Sequence, residues 1–265
     1  MRLIFFGTPD YVIPILDRLH KYHEIVAVVT QSPKPVGRDK ILTYSAVDTW
    51  AFKKHIPRNF DYVDLPEADM GICASYGAII PKEILNLFKY GILNIHPSLL
   101  PEFRGSSPVP ATLIAGVNPT GVSIFKMNEK MDSGPILTQF KEDVLETDTN
   151  ETLRGRLFNR SVEVLINLIP NYTKGKIKLK PQDNTKATYT KMITKQDGFV
   201  DLAKDDPIII ERKHRAYMPW PGIWTLLNGK RLKILEFKNE PIVVQLEGKK
   251  PTPWKIFKRA YNVDL

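Results

Sequence analysis

The run Arg2–Phe6 (RLIFF) is short and almost wholly apolar, and it leads through Gly7 and Pro9 into a segment with Val12, Ile13, Leu16 and Leu19 at helical spacing. A strand without polar alternation must be covered on both faces, which helices on either side of a parallel sheet achieve. The pattern returns in EIVAVVT at 24–30, SAVDTWAFKKH at 45–55 and ADMGICAS at 68–75. Strands alternating with helices predict an α/β fold with a Rossmann-like, doubly wound, mostly parallel sheet. Thr8 is placed to cap the first helix and Pro9 to take its first position, where a missing N–H costs nothing. Gly7 stands alone rather than in a set of three spaced glycines, so this opening predicts no dinucleotide site.

Further along, GILNIH at 91–96 and TGVSIFKM at 120–127 read as strands, and 151–172 as a long amphipathic helix. That helix is expected to close a first, catalytic domain at residues 1–173. Residues 174–187 (KGKIKLKPQDNTKA) are polar and lack apolar periodicity, which suits a linker. In residues 188–265, GIWTLL and RLKILEF flank Asn228-Gly229-Lys230, and Asn-Gly readily takes the positive φ angles of a tight hairpin. With PIVVQLEG following, the second domain is predicted to be a small β-barrel of OB-like type.

Apolar residues at 43% and charged residues at 25% exclude a disordered or fibrous chain. A single cysteine, Cys73, excludes a disulfide-stapled secreted domain, and its apolar neighbours suit a core thiol. The first residues are too short in apolar length for a signal segment, and no run approaches a membrane span, so a soluble cytoplasmic protein is expected. The net charge of +9 is unevenly spread. Residues 1–170 carry 18 Lys and Arg against 19 Asp and Glu, whereas residues 171–265 carry 20 against 10. A neutral half beside a half of net +10 suits a polyanionic partner such as RNA. The five histidines and one cysteine show no metal-ligand spacing, and no metal is expected.

Chemistry is concentrated in GILNIHPSLLPEFRGSSP. Asn94 and His96 lie two apart on an extended segment, so their side chains leave one face. Pro97 ends the strand and puts both at its C-terminal edge, where open α/β sheets place their ligand crevice. An isolated Asn-x-His also fits a capped strand end with a satisfied histidine. The context decides between them: Asn94-Ile95-His96-Pro97-Ser98-Leu99-Leu100-Pro101 with Arg104-Gly105, and Asp132-Ser133-Gly134 further on, resemble the two signature blocks of folate-dependent formyltransferases. GTPD, TQSPKPVGRDK, ASYGAIIP, MDSGPIL and YMPWP extend the resemblance over nearly the whole chain, most closely to the tRNA-directed members of that family.

The resemblance implies transfer of the formyl group of 10-formyltetrahydrofolate to the amino group of methionine on charged initiator tRNA. Formyl transfer needs donors for an oxygen that becomes negative and a base for the amine proton. Asn94 supplies amide donors, His96 in its charged form adds another, and Asp132 favours that form and accepts a proton through it or through a water. Asp132 joins the other two only by the resemblance; alone, Asp-Ser-Gly is a common turn. Tyr76, Gly77, Ala78 and Ile79, with Ser98, Leu99, Leu100 and Pro101, are implied as the folate site, where Gly77 and proline-fixed turns matter more than side-chain chemistry.

The connection from Gln31 to Ala46 is long for a strand–helix link and suits a functional loop. Its Lys34, Arg38 and Lys40 are expected to contact tRNA, with Arg38 where the resemblance places the key arginine. His214 to Tyr217 with Trp220 fit either that role or packing of the second domain. The chain departs from the pattern at Ser106-Ser107 and Val109-Pro110 and in its compact second domain, which touches substrate detail rather than reaction type. A monomer is expected. Two other functions fit: formylation of an amino sugar linked to a nucleotide, and a non-catalytic RNA-binding protein on the same scaffold.

Overall fold

The computed structural model describes residues 1–37 and 39–263, in two compact units. The first comprises Met1–Ser106, Thr120–Glu142 and Arg154–Tyr189. The second comprises Ser107–Pro119, Asp143–Leu153 and the chain from Thr190.

In the first unit the strands are β1 (Arg2–Gly7), β2 (Glu24–Val29), β3 (Lys34–Val36), β4 (Ile41–Thr43), β5 (Arg58–Asn59), β6 (Met70–Ala74), β7 (Ile92–His96), β8 (Arg104–Gly105), β9 (Thr120–Lys126) and β10 (Ile136–Glu142). Seven of them form one sheet in the order β10-β9-β7-β6-β1-β2-β5. The five from β7 to β5 run parallel, and β9 and β10 add an antiparallel edge. This is the Rossmann-like, mostly parallel sheet that the apolar runs predict. Leu3, Ile4, Phe5 and Phe6 are fully buried, so both faces of β1 are covered, as a run without alternation demands. Each such side chain contributes on the order of 2 kcal/mol relative to exposure. At the edge, β10 buries Ile136 and Leu137 and then turns polar, which is why its apolar signal is weak.

Helix α1 (Ile13–Tyr22) buries Ile15, Leu16 and Leu19. Its start differs from the expected one. Residues Asp10–Val12 form a separate 3-10 turn, Pro14 takes the early helical position, and the Thr8 hydroxyl donates to the Tyr76 carbonyl at 2.9 Å. A long-range acceptor has outcompeted the local cap. Helix α2 (Ala46–Lys53) is capped by Ser45, whose hydroxyl accepts from the Asp48 N–H at 2.9 Å. A short α3 (Lys82–Leu85) precedes β7.

In the second unit lie α4 (Pro108–Ala115) and the first residues of α5 (Asn150–Thr173); most of α5 belongs to the first unit. Strand β11 (Tyr189–Thr190) pairs with β8. Beyond α6 (Pro207–Tyr217), strands β12 (Ile223–Leu227), β13 (Lys230–Lys238), β14 (Glu240–Leu246) and β15 (Thr252–Pro253) form an antiparallel sheet in that order, a small barrel-like domain. The turn between β12 and β13 is the one expected: Asn228 and Gly229 have φ of 50° and 75°. Irregularities around Glu236 bend β13, α6 packs on β12 and β13, and α7 (Trp254–Tyr261) packs on β14. Trp220 is 54% exposed, so it does not fill this core; Tyr217 and Trp224 do.

Candidate active site

Strand β7 carries Asn94 and His96 to the C-terminal end of the parallel sheet. Asn94 is half-buried, in register with Cys73 on β6 and Phe125 on β9; His96 is buried and in register with Ser123 on β9. The loop after β7 returns beside the histidine, and the imidazole Nε2 lies 2.9 Å from the Phe103 carbonyl. A carbonyl only accepts, so Nε2 carries a proton and Nδ1 is the nitrogen available for chemistry. Nδ1 lies 3.7 Å from Asp132 Oδ2, with both side chains largely shielded from solvent. Two blocks far apart in sequence therefore meet at one point.

The Asp-Ser-Gly loop is built for this placement. Asp132 has φ of 46°, in the left-handed region that aspartate enters more readily than most residues with a side chain. Its Oδ2 accepts the Gly105 N–H at 2.7 Å. Ser133 donates its hydroxyl to Asn128 Oδ1 and to the Lys130 carbonyl, so it holds the turn. Gly134 packs on the Lys126 carbonyl so closely that an added Cβ would lie 1.8 Å from that oxygen.

Arg104 lies beneath the site at 2% exposure. Its guanidinium donates to Gln182 Oε1 at 3.2 and 2.7 Å, to Asn184 Oδ1 at 2.8 Å and to the Tyr189 hydroxyl at 3.2 Å. Gln182 in turn donates from Nε2 to the carbonyls of Asp132 at 2.9 Å and Gly134 at 2.7 Å. Gln182 and Asn184 come from the polar stretch 174–187, where absence of periodicity masked their use. The one signal was the pair of carboxamide residues Gln182 and Asn184 near lysines, which by itself names no partner.

The eight residues expected to hold folate fall into two loops at the ends of β6 and β7. Tyr76 is buried, whereas Gly77, Ala78 and Ile79 are exposed, Ile79 by 83%. The Tyr62 hydroxyl donates to the Ile79 carbonyl at 2.9 Å and fixes the segment from behind. Ser98 and Leu100 are buried, and Leu99 and Pro101 half-buried. The Ser98 hydroxyl donates to the Glu102 carbonyl at 2.6 Å, Ser123 Oγ donates to the Ser98 carbonyl at 2.7 Å, and Gln139 Nε2 donates to the Leu100 carbonyl at 2.9 Å. Ser123 and Gln139 are further residues that motif reading overlooked. Ile79 thus presents an exposed apolar side chain from a loop whose backbone is fixed by Tyr62.

Cys73 is 5% exposed, and burial, with the charge of Asp132 adding, pushes its thiol up to about 12. It stays a protonated core residue beneath the site. Strands β3 and β4 form a hairpin that exposes Lys34 and Lys40. Lys34 Nζ donates to Gln31 Oε1 at 3.2 Å, and Gln31 Nε2 reaches the Tyr76 and Gly77 carbonyls at 3.3 Å, so the hairpin is tied to the 76–79 loop. Arg38 lies outside the described residues. Among the described residues no group of three or more His, Cys, Asp or Glu side chains could hold a metal ion, and no helix is long and apolar enough to cross a membrane.

Residues 1–169 match the formyl transferase family, and residues 192–245 match the formyl transferase C-terminal domain. The chain belongs to the formyl transferase family. It is 40% identical to the methionyl-tRNA formyltransferase of Chloroflexus aurantiacus over 89% of this chain and 79% of that one. To the methionyl-tRNA formyltransferase of Thermus thermophilus it is 36% identical over 91% of this chain and 81% of the relative. Among solved structures, a sugar N-formyltransferase from Shewanella superposes with a TM-score of 0.67 at 17% identity, covering 89% of this chain and 97% of that one. HypX from Aquifex aeolicus, solved with tetrahydrofolic acid, gives 0.66 at 16% over 98% of this chain and 47% of that one. At such identities these two structures share the formyl transferase fold, and the likeness extends no further.

Proposed function

We propose that this enzyme transfers the formyl group of 10-formyltetrahydrofolate to the amino group of methionine on charged initiator tRNA, in support of translation initiation. The observation that carries the reading is the meeting of His96 Nδ1 and Asp132 at the end of β7, in a chain of this family whose similar relatives are methionyl-tRNA formyltransferases.

The bound folate supplies an activated formyl group. As the methionine amine adds, a new C–N bond forms, the formyl oxygen gains charge, and the bond to the folate nitrogen then breaks. Asn94 donates its amide N–H to that oxygen. His96 holds its Nε2 proton on the Phe103 carbonyl, which leaves Nδ1 to donate to the same oxygen or to pass a proton. The 3.7 Å between Nδ1 and Asp132 exceeds a direct hydrogen bond, so Nδ1 is not committed to the carboxylate. Asp132 takes up the ammonium proton, directly or through the imidazole, and the proton then passes to the departing folate nitrogen, so that the folate leaves as a neutral amine and the carboxylate is regenerated.

Tyr76 to Ile79 and Ser98 to Pro101 hold the folate ring system by backbone groups and apolar contact. Lys34, Arg38 and Lys40 hold the tRNA acceptor end near the site, and the basic second domain at about 188–265 contacts the tRNA body. The enzyme works as a cytoplasmic monomer without a metal. The test is a formylation assay with charged initiator tRNA and labelled formyl-folate. Transfer to the methionine amine supports the reading. Failure there, with transfer to amino sugars linked to nucleotides, overturns it.

A further inference from the structure

We propose that Gln182 is a positioning residue for Asp132, closing a ring of contacts that sets the carboxylate against His96; the proposal rests on the catalytic reading of Asp132 above. Asp132 sits in a left-handed backbone conformation, φ 46°, which aspartate adopts more readily than most residues with a side chain, and the surrounding contacts hold it there. Gln182 does so with both protons of one amide, given to the carbonyls of Asp132 at 2.9 Å and Gly134 at 2.7 Å, on either side of Ser133.

The other end of the same amide closes the ring. Gln182 Oε1 accepts from Arg104 Nη2 at 2.7 Å and Nε at 3.2 Å. The residue after Arg104 is Gly105, whose N–H binds Asp132 Oδ2 at 2.7 Å. The backbone of Asp132 and its carboxylate are thus fixed to one amide by separate routes, the first directly and the second through Arg104 and Gly105. Only a carboxamide offers two donors and an acceptor in one plane. Glutamate at 182 would keep the bond to Arg104 and oppose both loop carbonyls with an oxygen. Asparagine would keep the chemistry and fall one methylene short. Misplacing a reacting group by about 1 Å costs on the order of a hundredfold in rate.

The experiment measures kcat, KM for 10-formyltetrahydrofolate and melting temperature for Gln182→Glu, Asp132→Asn and the double variant, with charged initiator tRNA as acceptor. We expect Gln182→Glu to lower kcat by about ten- to a hundredfold, leaving KM for the donor within about threefold. The double variant should be little worse than Asp132→Asn alone, because Gln182 acts through Asp132. If Asp132→Asn itself leaves turnover intact, the catalytic reading fails and this proposal with it. If Asp132→Asn is slow but Gln182→Glu is near normal, only the positioning role is overturned. Losses that multiply in the double variant also overturn it, since they show independent action. If Gln182→Glu does not fold, Gln182→Asn is put through the same cycle with the same expectations. Failure of both to fold would assign the amide to the fold rather than to Asp132.

Discussion

Asp132 shows how little a residue's chemistry says without its backbone. The same Asp-Ser-Gly that makes an ordinary turn here holds a carboxylate 3.7 Å from an imidazole nitrogen, because Gly105 binds one oxygen and Gln182 fixes the main chain. Asp132→Asn keeps the size and the acceptor for Gly105 but removes the carboxylate proposed as the base. Turnover is expected to fall about a hundredfold or more with donor KM nearly unchanged, as steady-state kinetics will read. Gly134→Ala attacks the same loop through packing: a methyl group would meet the Lys126 carbonyl at 1.8 Å, so the loop must shift. Its melting temperature and kcat should both drop, whereas Ser133→Ala, at a residue that only braces the turn, should cost less in both.

At the scale of elements, the hairpin and one capped turn offer clean tests. Gly229 at φ 75° is where a side chain is disfavoured, so Gly229→Ala should destabilise the second unit by about 1 kcal/mol in denaturant melts, and Asn228→Gly by less. The 3-10 turn Lys195–Gly198 is held by Asp197, which accepts from the Thr194 N–H and hydroxyl and pairs with Lys191. Bonding to Lys191, then to Thr194, lowers the Asp197 carboxyl to about 2. A depressed carboxylate contributes stability that is complete above its unfolded value of about 3.9 and disappears as pH falls through 2. The melting advantage of the native chain over Asp197→Asn should therefore shrink between pH 5 and pH 2.

Over the whole molecule, charge is the property that local structure leaves alone. The excess of 20 Lys and Arg over 10 Asp and Glu lies in residues 171–265, and a tRNA held by that excess releases counterions on binding. Apparent affinity for charged initiator tRNA should fall by tenfold or more from about 50 to 200 mM salt, while KM for the formyl donor stays nearly flat. A tRNA affinity insensitive to salt in a binding titration would remove the basic half from recognition.

What the sequence by itself determined was whatever rests on local pattern. Apolar runs such as Leu3–Phe6 specify buried strands, Asn228-Gly229 specifies a hairpin, and the spacing of Asn94 and His96 sets them on one face, because each depends only on neighbours along the chain. Tertiary structure decided the rest. Polar strand β10 joins the sheet through an edge pairing, Thr8 gives up its helix for the Tyr76 carbonyl, and Asp132 reaches His96 from a separate block. Gln182 finds Arg104 across 78 residues of chain, from a stretch whose composition reads only as solvated. A hydrogen bond needs a partner at about 3 Å, and for residues far apart in sequence that partner exists only once the sheet has brought the loops together.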